Sequence, residues 1–245
     1  MRKQFQRWLV LTCCVALLSL SGVGLVGCDS QSANSSATTT SNTENRTITS
    51  QASNSDMTQL PKLEGKATVV MTVNGSPITI EVDGDNAPIT AGNFVDLVER
   101  GFYDGLTFHR VVKSPQPFVA QGGDPEGTGM GSFIDPDTKQ PRYIPLEIKP
   151  QGADEPIYGK TLKQAGVTAS PVLAHTRGAV AMARSQMPNS ASSQFYFALT
   201  ELQFLDGDYA VFGYVTEGMD AVDAIAQGNS IDTAEVTAGG ENLKK

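Results

Sequence analysis

Cysteine is missing from most of this 245-residue chain: Cys13, Cys14 and Cys28 are the only three, and all fall within the first 28 residues. The remainder can form no disulfide and can use no cysteine nucleophile, so it must be stable through its core alone. Histidine is nearly as scarce. His109 and His175 are too few and too far apart in sequence to suggest a metal centre. No GxSxG occurs, and Ser185, Ser190, Ser192 and Ser193 crowd one segment without an evident base, which argues against a hydrolase elbow. GDPEGTGMG at 123–131 lacks the closing Gly-Lys-Ser/Thr of a phosphate loop and reads as a glycine-rich turn beside a binding face. Basic residues are outnumbered: beyond residue 28, 15 Lys and Arg stand against 26 Asp and Glu, a net charge of −11. An acidic chain without a basic stripe argues against nucleic acid and against direct adhesion to anionic lipid.

What the first 28 residues do hold is a basic start (Arg2, Lys3, Arg7) followed by the apolar run WLVLTCCVALLSLSGVGLVG, ending at Cys28. This order describes an export signal over residues 1–28. LVGC resembles the bacterial lipobox, which implies cleavage before Cys28 and lipid on that cysteine. An uncleaved membrane anchor is the other reading of the run. Both place the rest of the chain outside the cytoplasm, tethered to a membrane on the periplasmic or thylakoid-lumen side. Residues 29–61 are rich in Ser, Thr and Asn and too poor in large apolar residues to offset their ordering entropy, so they read as a flexible tether.

Residues 62–245 suit one domain, and the pattern is mainly β. ATVVMTVNGSPITIEV shows two alternating runs around Asn74-Gly75, a strong hairpin signal. ITAGNFVDLVERG reads as a helix with Thr90 as N-cap, Phe94, Leu97 and Val98 on its apolar face and Gly101 as its stop. LTFHRVV, PFVAQ, GAVAMAR, QFYFAL, YAVFGYV and IDTAEVT are strand candidates. EGMDAVDAIAQG is a second helix with Met219, Val222, Ile225 and Ala226 on one side. Residues 132–176 read as a long loop region. The sum predicts a closed eight-stranded antiparallel barrel capped by two α-helices.

Alternation places Phe108, Arg110 and Val112 on one side of a strand, with Phe118 and Gln121 on the next. It turns His109 inward, as a hydrogen-bonded structural histidine. Taken alone, an arginine among apolar residues is more often snorkelling or ion-paired than catalytic. The company of three blocks alters that weighting. FHRVV…PFVAQGGDPEGTG, MARSQMPNSASSQFYF and FLDGDYAVFGYVTEGMDAVDAI resemble, in order, the signature blocks of the cyclophilins, peptidyl-prolyl cis–trans isomerases with an eight-stranded barrel. YIPLEIKPQGADEPIYGKTL is further similar to the branch of thylakoid lumens and cyanobacteria.

The resemblance implies a catalytic Arg110, with Gln121 and Phe118 beside it. It implies a proline pocket of Phe118, Val119, Tyr196 and Leu205, and peptide contacts at Ala183, Arg184 and Gln194. Phe204 stands where the family has tryptophan, Tyr209 where it has histidine, and Val119, Arg184 and Tyr196 where methionine, asparagine and phenylalanine are common. These departures imply weak cyclosporin binding. The implied partners are proline-containing polypeptides and, through lipid on Cys28, a membrane. No cofactor or metal is implied, and a monomer is the default. A peptide-binding chaperone module with little isomerase activity is the alternative function, and an unrelated ligand-binding barrel is a more distant one.

Overall fold

The computed structural model describes residues 57–245. The signal, the lipid site at Cys28 and most of the tether lie outside the described residues. The packed fold begins ahead of the expected start at residue 62, because Met57 and Leu60 rest against the core and Pro61 is buried.

In chain order the elements are β1 (Lys62–Leu63), β2 (Lys66–Val73), β3 (Ser76–Asp83), α1 (Pro88–Glu99), β4 (Arg110–Val112), β5 (Val119–Gly122), β6 (Glu147–Ile148) and β7 (Ile157–Tyr158). There follow β8 (Ala179–Met182), β9 (Phe195–Ala198), a 3-10 turn (Gln203–Leu205), β10 (Val211–Glu217), α2 (Met219–Ala224), β11 (Ile231–Ala238) and β12 (Leu243–Lys244). Eight strands form one antiparallel sheet in the order β11-β2-β3-β10-β8-β9-β5-β4, and β1–β12 and β6–β7 make two small ladders. The expected closed barrel is therefore corrected to an open one. Strand pairing stops at β4 and β11, and the chain entering β4 reaches β11 only through a Thr107–Ser230 bridge and flanking backbone bonds such as Ile231 N–H to Leu106 O, 2.8 Å.

Local chemistry explains the hairpin and the helix ends. Asn74 and Gly75 both take positive φ, 51° and 73°, the turn whose twist matches paired strands, and β2 and β3 pair in unbroken register from it. Helix α1 stops at Gly101 (φ 62°), whose N–H reaches Val98 O while Phe102 N–H reaches Leu97 O, a Schellman closure. Thr90 is not its N-cap. Ala87 is, and the orphan amides of the first turn are met by Glu147 from the long 132–176 segment. The buried Glu147 carboxylate accepts from Ile89 N–H (3.1 Å), Thr90 N–H (2.7 Å) and Thr90 Oγ1 (2.7 Å). Helix α2 is also shorter than expected: Val222 and Ile225 are buried, but Ala226 lies beyond the helix and is exposed.

The interior is aromatic. Phe94 of α1 meets Phe212 at 4.9 Å, Tyr103 at 5.2 Å and Phe195 at 5.5 Å between ring centroids. Phe108 packs on Phe195 and Phe197 in the same core. β8 and β9 are buried at every residue because they separate two clusters. Val180, Met182, Phe195 and Phe197 face the main core, whereas Ala179, Ala181, Tyr196 and Ala198 face a smaller cluster outside it.

Helix α1 lies against β1 at Gly92, where an added Cβ would come within 2.5 Å of Pro61 O and 2.6 Å of Lys62 Cα. Both contacts are backbone and cannot swing away. Gly92→Ala should therefore destabilise the protein by about 2 kcal/mol or more, although alanine favours a helix by about 1 kcal/mol. The urea midpoint measures this, and an unchanged or raised midpoint would refute the close approach.

Candidate active site

The outer cluster is the floor of the site, and cross-strand register assembles it. Arg110 pairs with Gln121, Gln121 with Tyr196, Tyr196 with Ala181 and Ala181 with Val211, one row across β4, β5, β9, β8 and β10. Residues directly opposite in antiparallel strands point to the same face. The row thus begins with an exposed guanidinium, passes the Gln121 amide and continues over Tyr196, Ala181 and Val211. Val119, Ala198, Leu202 and Val211 complete the buried floor, bordered by Phe118, Ala183, Leu205 and Tyr209.

Arg110 is held from two sides. Its Nη1 donates to Gln121 Oε1 at 3.2 Å, and its guanidinium carbon lies 5.5 Å from the Phe118 ring centroid. Phe118 stacks in turn on Phe204 at 6.1 Å and 14°. Gln121 is itself oriented, since its Nε2 donates to Gln194 Oε1 (3.0 Å), whose own Nε2 donates to Gly131 O (2.9 Å). Gly131 belongs to the glycine-rich turn, which is wound around Asp124. That carboxylate accepts Glu126 N–H at 2.8 Å and Gly129 N–H besides. Burial would raise the Asp124 pKa, but the backbone donors outweigh it and hold the pKa below the ordinary value. The turn binds its own aspartate and supports the glutamine chain.

Two sequence expectations change here. Phe108 does not share the Arg110 face: β4 starts only at Arg110, and the irregular chain before it turns Phe108 into the core. His109 is only half-buried and lies outside the core clusters, and neither ring nitrogen reaches a partner at hydrogen-bond geometry. Among the described residues, no group of His, Cys, Asp and Glu converges to hold a metal.

The family model for cyclophilin type peptidyl-prolyl cis-trans isomerases matches residues 68–240. The chain belongs to that family. A Synechocystis sp. protein described as a thylakoid lumen peptidyl-prolyl cis-trans isomerase is 49% identical over 77% of this chain and 51% of its own length. A chloroplastic peptidyl-prolyl cis-trans isomerase of Arabidopsis thaliana is 44% identical over 75% of this chain and 45% of its own. The chain thus spans about half the length of these curated relatives. An Acinetobacter baylyi peptidyl-prolyl cis-trans isomerase is 37% identical over 64% of this chain and 71% of that protein. Among solved structures, a cyclophilin type isomerase of Cryptosporidium parvum shares the fold, with a TM-score of 0.55, 24% identity, and coverage of 71% of this chain and 98% of that one.

Within this cyclophilin domain, the residues singled out from sequence come together, but two of them have their donors already engaged. Arg184 is drawn back from the groove: Nε and Nη2 donate to Asp208 O (2.9 and 2.6 Å), Nη1 donates to Ser185 O (2.8 Å), and the group lies 4.7 Å from the Tyr209 ring centroid. It is a clamp on the rim more than a free donor. Ala183 N–H is likewise committed, to Gln194 O at 2.9 Å. Sequence reading missed two residues behind the floor. The Tyr196 hydroxyl meets His175 Nε2 at 3.0 Å, and His175 Nδ1 meets Asp206 Oδ1 at 2.7 Å. Nothing in the linear sequence joins positions 175, 196 and 206; only the packing of three segments does.

Burial lowers the His175 pKa, against the pull of Asp206. With a folded pKa below the unfolded value of about 6.5, the unfolded chain takes up the proton first as pH falls. Stability from this residue is therefore complete above about pH 6.5 and is lost as pH falls through the folded pKa. His109 has the same sign, its pKa lowered by burial with Asp124 opposing. Buried Glu147, its pKa raised by burial, works in the opposite sense but is common to both proteins, so between about pH 7 and 5 the urea midpoint of the wild type should lose more, or gain less, than that of His175→Gln. The same pH dependence in both proteins would contradict this.

Proposed function

We propose that the chain is a peptidyl-prolyl cis–trans isomerase acting on proline-containing polypeptides, with Arg110, Gln121 and Phe118 as its catalytic residues. The observation that carries the reading is a guanidinium fixed by Gln121 and Phe118 at the edge of an apolar floor. Membership of the isomerase family supports it.

Rotation about an X–Pro bond breaks no covalent bond but meets a barrier of roughly 18–20 kcal/mol from amide resonance. In the twisted transition state that resonance is lost, and the prolyl nitrogen becomes pyramidal and a better acceptor. A guanidinium held beside the ring donates a hydrogen bond that the planar ground state accepts poorly. The interaction is stronger in the transition state than in the ground state, so it accelerates rotation without a nucleophile. Phe118, Val119, Tyr196 and Leu205 grip the proline ring, and Gln121 with the backbone near Ala183 holds the preceding residue. Arg184 and Tyr209 close the rim, and Gln194 keeps Gln121 aimed.

The setting is read from the N-terminus. An export signal with lipid on Cys28 would place the domain outside the cytoplasm on a membrane, to assist the folding of exported proteins. The description of the Synechocystis relative as a thylakoid lumen protein is consistent with an extracytoplasmic site.

Replacing Arg110 by alanine should lower kcat/KM for an Ala-Pro tetrapeptide by at least ~10-fold, a loss of about 1.4 kcal/mol of transition-state stabilisation. A protease-coupled assay reads it, and near-wild-type turnover in a folded Arg110→Ala protein would end the mechanism. Phe204 is 70% exposed and offers cyclosporin no indole N–H. Binding should be weak and should tighten about 10-fold in Phe204→Trp, since the indole adds a donor and apolar area. Titration calorimetry measures both affinities. Tight binding that the substitution fails to improve would count against this role for position 204.

A further inference from the structure

His175 is buried at 1% exposure, yet all four of its polar groups are engaged. Its backbone N–H and its Nδ1 both meet Asp206 Oδ1, at 2.8 and 2.7 Å. Its carbonyl accepts Leu202 N–H at 2.8 Å, and its Nε2 meets the Tyr196 hydroxyl at 3.0 Å. A carboxylate can only accept, so Nδ1 carries the proton and Nε2 offers the lone pair that the tyrosine hydroxyl donates to. One imidazole therefore serves as donor on one side and acceptor on the other.

The partners are placed with a consequence. Leu202 and Asp206 flank the 3-10 turn Gln203–Leu205, so His175 grips that turn at both ends. Between the two grips lie Phe204, stacked on Phe118, and Leu205, which borders the apolar floor. Tyr196 is the floor itself, in register with Gln121. Its ring lies nearly parallel to the imidazole, at 14°, and it meets Tyr209 edge-on at 6.2 Å. A phenylalanine would fill the same space without a partner. The hydroxyl adds a directional bond that sets where the ring stands relative to the turn above it.

We propose that His175 is a positioning residue for the substrate site: with Asp206 it holds the Phe204–Leu205 turn against Tyr196 and so fixes the width of the pocket that receives the proline ring. The proposal rests on the isomerase reading for the nature of the substrate, but the relay itself does not depend on turnover. The relay makes no hydrogen bond to Arg110 or Gln121, although its turn carries Phe204, which stacks on the Phe118 that faces Arg110. For that reason kcat and KM are read separately, to tell grip on the ring from guanidinium chemistry.

The test uses the full-length protein and an Ala-Pro tetrapeptide, with kcat and KM measured separately for wild type, Tyr196→Phe, His175→Gln and the double variant. Tyr196→Phe deletes one oxygen and should raise KM about 5-fold while kcat stays within about twofold, the signature of lost uniform binding. The double variant should lose no more than the larger single loss, because both substitutions cut the same bond. Imidazole 15N shifts of the wild type should report a protonated Nδ1 and a bare Nε2, without any peptide present. An unchanged KM in Tyr196→Phe, a fall in kcat at constant KM, or a protonated Nε2 would each overturn the proposal. If His175→Gln does not fold, Tyr196→Phe still decides the matter. If the wild type binds the peptide without turning it over, the isomerase reading falls, and peptide affinity by NMR titration replaces KM in the same comparison.

Discussion

The burial of β8 and β9 on both faces is the constraint from which the site follows. A strand covered on one face can turn polar side chains to water on the other, but these two strands have no such face, since aromatic core presses on one side and the outer floor on the other. Their register is therefore strongly specified: a one-residue slip would carry Phe195 and Phe197 outward and drive Tyr196 into the core. With β9 locked, β5 is locked through Gln121–Tyr196 and β4 through Arg110–Gln121. The guanidinium thus stands where it does because of packing on the far side of the sheet.

On that frame the polar groups of the outer face form two separate supports. One runs along the surface from Arg110 through Gln121 and Gln194 to the Asp124 turn, and it sets the direction of the donor. The other runs beneath the floor from Tyr196 through His175 to Asp206, and it sets the distance between floor and lip. On the proposed mechanism, orienting a donor toward a transition state and gripping a ring in the ground state fall mostly to different residues, with Phe118 serving both. Neither needs a nucleophile, because amide rotation requires only that a twisted nitrogen be favoured over a planar one.

Much of this was legible in the sequence. Period-two alternation and the Asn74-Gly75 turn located β2 and β3, the glycine at 101 located the end of α1, and the strand candidates each returned as a strand. The site residues were legible through their company and not through their chemistry, since arginine beside apolar residues has many ordinary explanations. The failures share a cause. Glu147 caps α1 from 57 residues away, and His175 reaches Asp206 across 31 and Tyr196 across 21. Local rules offered Thr90 as the cap and left His175 without a role, because no short-range signal records which distant segment supplies a partner. The pleat also failed at Phe108, where irregular chain precedes β4 and alternation does not apply.

On the proposed mechanism Arg110 acts on the twisted amide and not on peptide affinity. Two-dimensional exchange NMR of an X–Pro peptide bound to the full-length protein measures the cis–trans rate directly, while a titration in the same sample gives the affinity. Comparing wild type with Arg110→Lys keeps the charge and removes the planar fork. The account predicts exchange slowed by at least about 10-fold at nearly constant affinity. Equal exchange rates in the two proteins, or a loss confined to affinity, would contradict it.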